Sequence, residues 1–72
     1  MKMTCYETLV SPTGVEIRQY ANHEEGAFLS RVTCDGVHRD FQGSLKWSAE
    51  KIESVLIEAA DYAKSLDDAR TN

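Results

Sequence analysis

The stretch from Ser48 to Leu66, SAEKIESVLIEAADYAKSL, constrains this chain more than any other. With Ile52 at the centre of a helical wheel of 3.6 residues per turn, Val55, Leu56, Ala59, Ala63 and Leu66 gather on one side. Glu50, Ser54, Glu58, Asp61 and Ser65 turn away from it. Such spacing predicts an amphipathic helix with one apolar stripe, and a helix of that kind needs a surface to lie on. Ser48 is placed to be the N-cap, its oxygen accepting from the N–H of Glu50 or Lys51. Glu50 suits the positive end of the helix dipole. Asp67 and Asp68 carry the wrong sign for a C-terminus, so fraying is expected beyond Leu66. Ile57 breaks the stripe and falls among Glu53, Asp61 and Lys64. It is either a single exposed apolar residue or a second contact surface.

What the helix lies on is read from the first two-thirds of the chain. Thr4–Val10 and Val15–Tyr20 are rich in strand formers, and Ser11-Pro12-Thr13-Gly14 between them fits a type I turn closed by a left-handed glycine. That turn pairs Leu9 with Ile17 and Tyr6 with Tyr20. It puts Cys5, Leu9, Val15, Ile17 and Ala21 under the helix, and Tyr6, Thr8, Val10, Glu16, Arg18 and Tyr20 on the other face. Residues 22–26 form a polar loop. Ala27–Cys34 and Val37–Phe41 flank Asp35-Gly36, a strong signal for a two-residue hairpin turn. Phe28, Val32, Cys34, Val37 and Phe41 join the core face; Leu29, Arg31, Thr33, His38 and Asp40 join the open one. Residues 42–47 connect sheet to helix. The expected fold is therefore α+β, a four-stranded antiparallel meander with one C-terminal amphipathic helix packed on one face (ββββα), as a single small domain over residues 1–72.

A chain of this length buries only about 60% of its unfolded surface, so modest stability is expected, with oligomerisation a natural supplement. The net charge of -4 disfavours direct nucleic-acid binding, which needs clustered Lys and Arg. Half of the acidic residues follow Lys46, which makes the helix the acidic part. No apolar run is long enough to span a membrane, and the opening residues MKMTCYETL carry no secretion-signal pattern. Two cysteines are too few for a disulfide framework, so a cytoplasmic protein with reduced thiols is expected.

No residue set announces a chemistry. Cys5, Cys34, His23 and His38 are zinc-ligand types without zinc-site spacing. Cys34 and His38 point to opposite faces of their hairpin, and both cysteines are expected to face the core, where a thiol is inert. Glu24-Glu25 and Asp67-Asp68 sit where charges are solvated, not where two carboxylate pKa values are driven apart. No phosphate-binding, dinucleotide or metalloprotease motif occurs. No metal, cofactor or catalytic residue is expected.

Tyr6-Glu7-Thr8 followed by Val15-Glu16-Ile17-Arg18-Gln19-Tyr20 resembles the opening hairpin of the SOUL heme-binding family; no heme site carries over. The order of strands and helix is similar to that of HicB-type antitoxins and other small dsRNA-binding-like folds, which implies an antitoxin or regulatory subunit. As a class, small acidic chains without a catalytic set are similar to phage-encoded inhibitors, anti-CRISPR proteins among them, which engage basic nucleic-acid-handling surfaces.

The expected function is a non-enzymatic protein-binding module, an acidic inhibitor or adaptor with Glu50, Glu53, Glu58 and Asp61 as contacts. The alternative is a small-ligand or cofactor-binding protein, or an antitoxin-like subunit. A homodimer is also expected, through Tyr6, Arg18, Tyr20, Leu29 and Arg31 on the open sheet face or through Ile57 on the helix.

Overall fold

A computed structural model describes residues 2–71. The ends of the domain expected over 1–72, Met1 and Asn72, lie outside the described residues. Strands β1 (Thr4–Val10), β2 (Glu16–Asn22), β3 (Ala27–Cys34) and β4 (Val37–Ser44) form one antiparallel sheet in the order β1-β2-β3-β4, followed by helix α1 (Ala49–Arg70). This is the expected ββββα arrangement.

Local chemistry sets the turns. Ser11 accepts from Gly14 and donates to Val15 through the backbone, its hydroxyl accepts from the Val15 N–H, and Gly14 takes the left-handed conformation at φ 94°. The result is the expected Leu9–Ile17 pairing. Asp35 and Gly36 both have positive φ, as a two-residue hairpin of the primed type requires, and Cys34 pairs with Val37.

Besides β2 running on to Asn22, three features differ from expectation. Strand β4 runs on to Ser44, through a glycine that reads as a loop residue. Gly43 pairs with Phe28, and the Trp47 ring lies over its bare Cα; a Cβ there would clash with Trp47 and come within 2.8 Å of the Phe28 ring. Glycine within a strand here marks a close approach. Helix α1 does not fray after Leu66 but continues to Arg70. The Thr13 hydroxyl donates to the Asp67 carboxylate, and Arg70 donates to the Thr13 carbonyl at 3.0 Å and to the Asp35 carboxylate at 2.7 Å. The last turn is thus pinned to two hairpin turns remote in sequence. At the other end Ser48 caps as expected, accepting from the Lys51 N–H.

The third difference is a β-bulge in β1. Cys5 pairs with Tyr20 and Glu7 with Gln19, leaving Tyr6 as the extra residue. The expected Tyr6–Tyr20 pairing is therefore corrected, and Cys5 and Tyr6 exchange faces. Cys5 lies exposed beside Thr8 on the open face, not in the core, while Tyr6 stands on the helix side with Ala21, Phe28, Ile52 and Leu56.

The core is small: Val15, Val32 and Phe41 from the sheet against Ala59 and Ala63 of α1, with Ile17, Val55, Tyr62 and Leu66 at its margin. Ser30 is wholly buried, its hydroxyl donating to the Gln19 side chain.

Candidate docking groove

The position of α1 across the sheet defines the candidate site. Strands spaced about 4.8 Å apart place β1 roughly 14 Å from β4, whereas a helix is about 10 Å across. One helix therefore covers two strands. Helix α1 packs on β3 and β4, touches the margin of β2 and does not reach β1.

The two flanks of α1 are finished differently. On the β4 side the Arg39 guanidinium sits 4.9 Å from the centroids of both Phe41 and Tyr62, closing over the junction of strand and helix. Trp47 meets Phe28 edge-on at 6.3 Å, with the Lys51 ammonium 4.2 Å above its ring. On the β1 side the described residues make hydrogen bonds across the junction only at the helix end, where Thr13 meets Asp67 and Arg70. All of β1 is exposed, Tyr6 by 62% and Leu9 by 51%. The groove between β1 and α1 consists of two depressions that share no lining residue and are separated at the Glu7–Gln19 register position. One, of about 270 Å³, lies between Leu9 and Ile17 below and Ala60 and Ala63 above. The other, of about 240 Å³, lies between Tyr6 and Phe28 below and Ile52 and Leu56 above.

Ile57 gains a context here. Going round the helix at 3.6 residues per turn, Leu56, Ala60 and Ile57 succeed one another from the groove wall to its outer shoulder. Ile57 is 50% exposed there, beyond Glu53 and Lys64, and lines neither stretch of the groove. Glu53 and Lys64 share that shoulder.

The four helix acids singled out by sequence, Glu50, Glu53, Glu58 and Asp61, are all exposed. Glu53 borders the groove, while the other three spread over the outward surface of α1. The six residues expected at a dimer interface do not share one surface. Arg18, Tyr20, Leu29 and Arg31 lie on the open sheet face by register, Tyr6 lies in the groove, and Ile57 lies on the helix shoulder.

On the open face the charges are spent on one another. Arg31 donates two hydrogen bonds to Asp40, at 2.8 and 3.1 Å, and Arg18 pairs with Glu16. The Arg31 bonds hold the Asp40 carboxyl below its usual pKa despite some desolvation. Asp67 is likewise lowered, chiefly by the Thr13 hydroxyl, and Asp35 by Arg70. These three perturbed carboxylates belong to structural pairs and do not converge on one cleft. Cys34 is half-buried with its sulfur 3.4 Å from the Arg70 guanidinium, and its hairpin pairing sends His38 to the other face, as expected. Among the described residues no three His, Cys, Asp or Glu side chains come together as metal ligands, and no helix is long and apolar enough to cross a membrane.

No protein-family model, no curated protein and no solved structure matches the chain.

Sequence reasoning missed the groove because it depends on where α1 sits across the sheet. Ile57, outside the main stripe, was the one signal of a second apolar surface.

Proposed function

We propose that this protein is a non-enzymatic protein-binding module that docks on a basic partner surface, an inhibitor or adaptor of the phage-encoded, anti-CRISPR-like kind. The observation that carries the reading is the uncovered apolar groove beside an acidic helix. An apolar centre with charged surroundings is the usual anatomy of a docking patch. Residues 47–72 hold six acidic against three basic residues, so charge steers the encounter and the groove supplies the contact. The free thiols of Cys5 and Cys34 fit a reducing, cytoplasmic setting.

The test is a pull-down with the full chain, followed by measurement of the association rate with each captured protein. Reversing charge at Glu53, Glu58 and Asp61 to Lys is expected to slow association at low salt at least tenfold, with the difference shrinking as salt rises. The same partners binding at the same rate sinks the reading.

Self-association is a second reading, favoured by the depression that Met3, Tyr20 and Leu29 form on the open face. A twofold dimer through that face predicts that Tyr20→Ala weakens the dimer and Ile57→Ser does not. Sedimentation at micromolar concentration showing only an 8.1 kDa species excludes it.

A further inference from the structure

We infer, building on the docking function proposed above, that the segment the groove receives is an amphipathic α-helix of about three turns, with an apolar stripe flanked by Lys and Arg, lying alongside α1 above β1 and β2.

Three observations converge on that occupant. The first is dimensional. The groove follows α1 from Ile52 to Ala63, about 16 Å at 1.5 Å per residue. Beside it remains about one helix width of sheet that α1 does not cover. The exposed Ala60 keeps the wall of α1 low, so a second helix axis can approach closely.

The second is the hydrogen bonding available. A segment over the face of β1 and β2 finds no backbone partners, because those strands direct their N–H and C=O groups within the sheet plane. It must satisfy its own backbone, which a helix does and an extended strand does not. Pairing at the edge of β1 is hampered too, since the bulge at Tyr6 breaks the ladder register there.

The third is charge. Glu7 pairs with Gln19 and so sits on the helix side of β1, Glu24 stands at the open end beside Tyr6, and Glu53 lies on the opposite shoulder. Lys64 lines the far stretch together with Asp67. Lys2 is the one lysine or arginine lining the open end, so among the residues that line or border the groove Glu7, Glu24, Glu53 and Asp67 outnumber Lys2 and Lys64, and the rim matches basic flanks. A second copy of this chain is a poor occupant. Its α1 would bring its own sheet along and press Asp61 and Glu58 against β1 and β2.

The test uses the full ¹⁵N-labelled chain and three synthetic peptides of about four helical turns. One carries Leu at i, i+3, i+4 and i+7 with Lys elsewhere; one alternates Leu and Lys with strand periodicity; one is the helical peptide with Glu in place of Lys. The helical Lys peptide is expected to shift the amides of Tyr6, Leu9, Leu56 and Ala60 and to leave the Arg31–Asp40 region unmoved. Tyr6→Ala and Leu9→Ser are each expected to weaken it about tenfold, the loss typical of an anchoring contact. Both side chains are largely exposed, so the variants keep the fold, which circular dichroism confirms. Stronger binding by the alternating peptide, equal binding by the Glu peptide, or no response to any of the three overturns the inference. Shifts by the helical Lys peptide confined to Glu50, Glu58 and Asp61 overturn it too, while leaving the acidic-docking function standing. That function is judged separately, by the charge-reversal rates. A dimer in sedimentation that buries Leu9 and Ala60 likewise overturns it.

Discussion

Gly43→Ala is the substitution the packing forbids most clearly. An added Cβ would clash with the Trp47 ring and press within 2.8 Å of two Phe28 ring carbons. Neither ring is the free end of a flexible side chain. Phe28 is 4% exposed, and Trp47 is held edge-on against it under Lys51. The methyl therefore displaces Trp47. Overpacking of this type costs about 1–3 kcal/mol, and loss of the aromatic pair adds about 0.5–1.5 kcal/mol. The smaller backbone entropy of alanine in the unfolded chain returns about 0.4–1 kcal/mol. The balance spans about 0.5–4 kcal/mol of destabilisation and centres a little above about 2 kcal/mol. Against a total of about 4–10 kcal/mol for a chain of this length, that loss lowers Tm by roughly 10–20 °C. Thermal unfolding followed by circular dichroism measures it, and Trp47 emission should shift to the red before unfolding begins. In a Trp47→Ala background the added cost of Gly43→Ala should shrink to about 1 kcal/mol, because only the Phe28 approach remains. A Gly43→Ala variant that melts within about 2 °C of the parent refutes the packing argument.

Three further outcomes follow from the same contacts. Arg70→Ala frees the last turn of α1 from Thr13 and Asp35, so amide exchange over residues 64–70 should quicken several-fold while β3 stays protected. Ser48→Ala removes the acceptor for the Lys51 N–H and should cost about 1 kcal/mol, read from urea unfolding with unchanged m. Stability should also fall at acid pH through Asp35, Asp40 and Asp67. Their folded pKa values are lowered, so the unfolded chain binds more protons and stability rises with pH. The gain is complete above the ordinary carboxylate pKa of about 3.9 and is lost as pH falls through the folded values. A Asp35→Asn/Asp67→Asn double variant should show a shallower loss below pH ~4.

The elements that local chemistry determines were legible in the sequence. The 3.6-residue stripe around Ile52 gave α1, and Ser48 gave its start. Pro12 with Gly14, and Asp35 with Gly36, set two hairpin registers, and those registers sorted most side chains to the correct face. What escaped was set by partners distant in sequence. Asp67 and Asp68 look unfavourable at a helix end when only the helix dipole is considered. The helix continues because Thr13 and Asp35 receive Asp67 and Arg70. Gly43 reads as a break until Phe28 and Trp47 are seen to need the space a side chain would take.

The candidate site was the least legible part, and the reason lies in one residue of β1. Strict alternation sends Tyr6 to the open face beside Tyr20, where it suggests an aromatic interface. The bulge between Cys5 and Glu7 turns it to the helix side. Alternation cannot reveal such an insertion, because Thr8, Leu9 and Val10 keep the same register on either reading. The physical gain is visible only with α1 in place. Tyr6 extends the apolar floor beyond Phe28 toward Ile52 and Leu56, in space that a helix seated over β3 and β4 leaves empty. The same bulge interrupts the edge ladder of β1 and so discourages strand-to-strand pairing there. One inserted residue thus shapes the floor of the groove and disfavours the extended mode of binding at its edge, which is why a helix is the segment we propose for this surface.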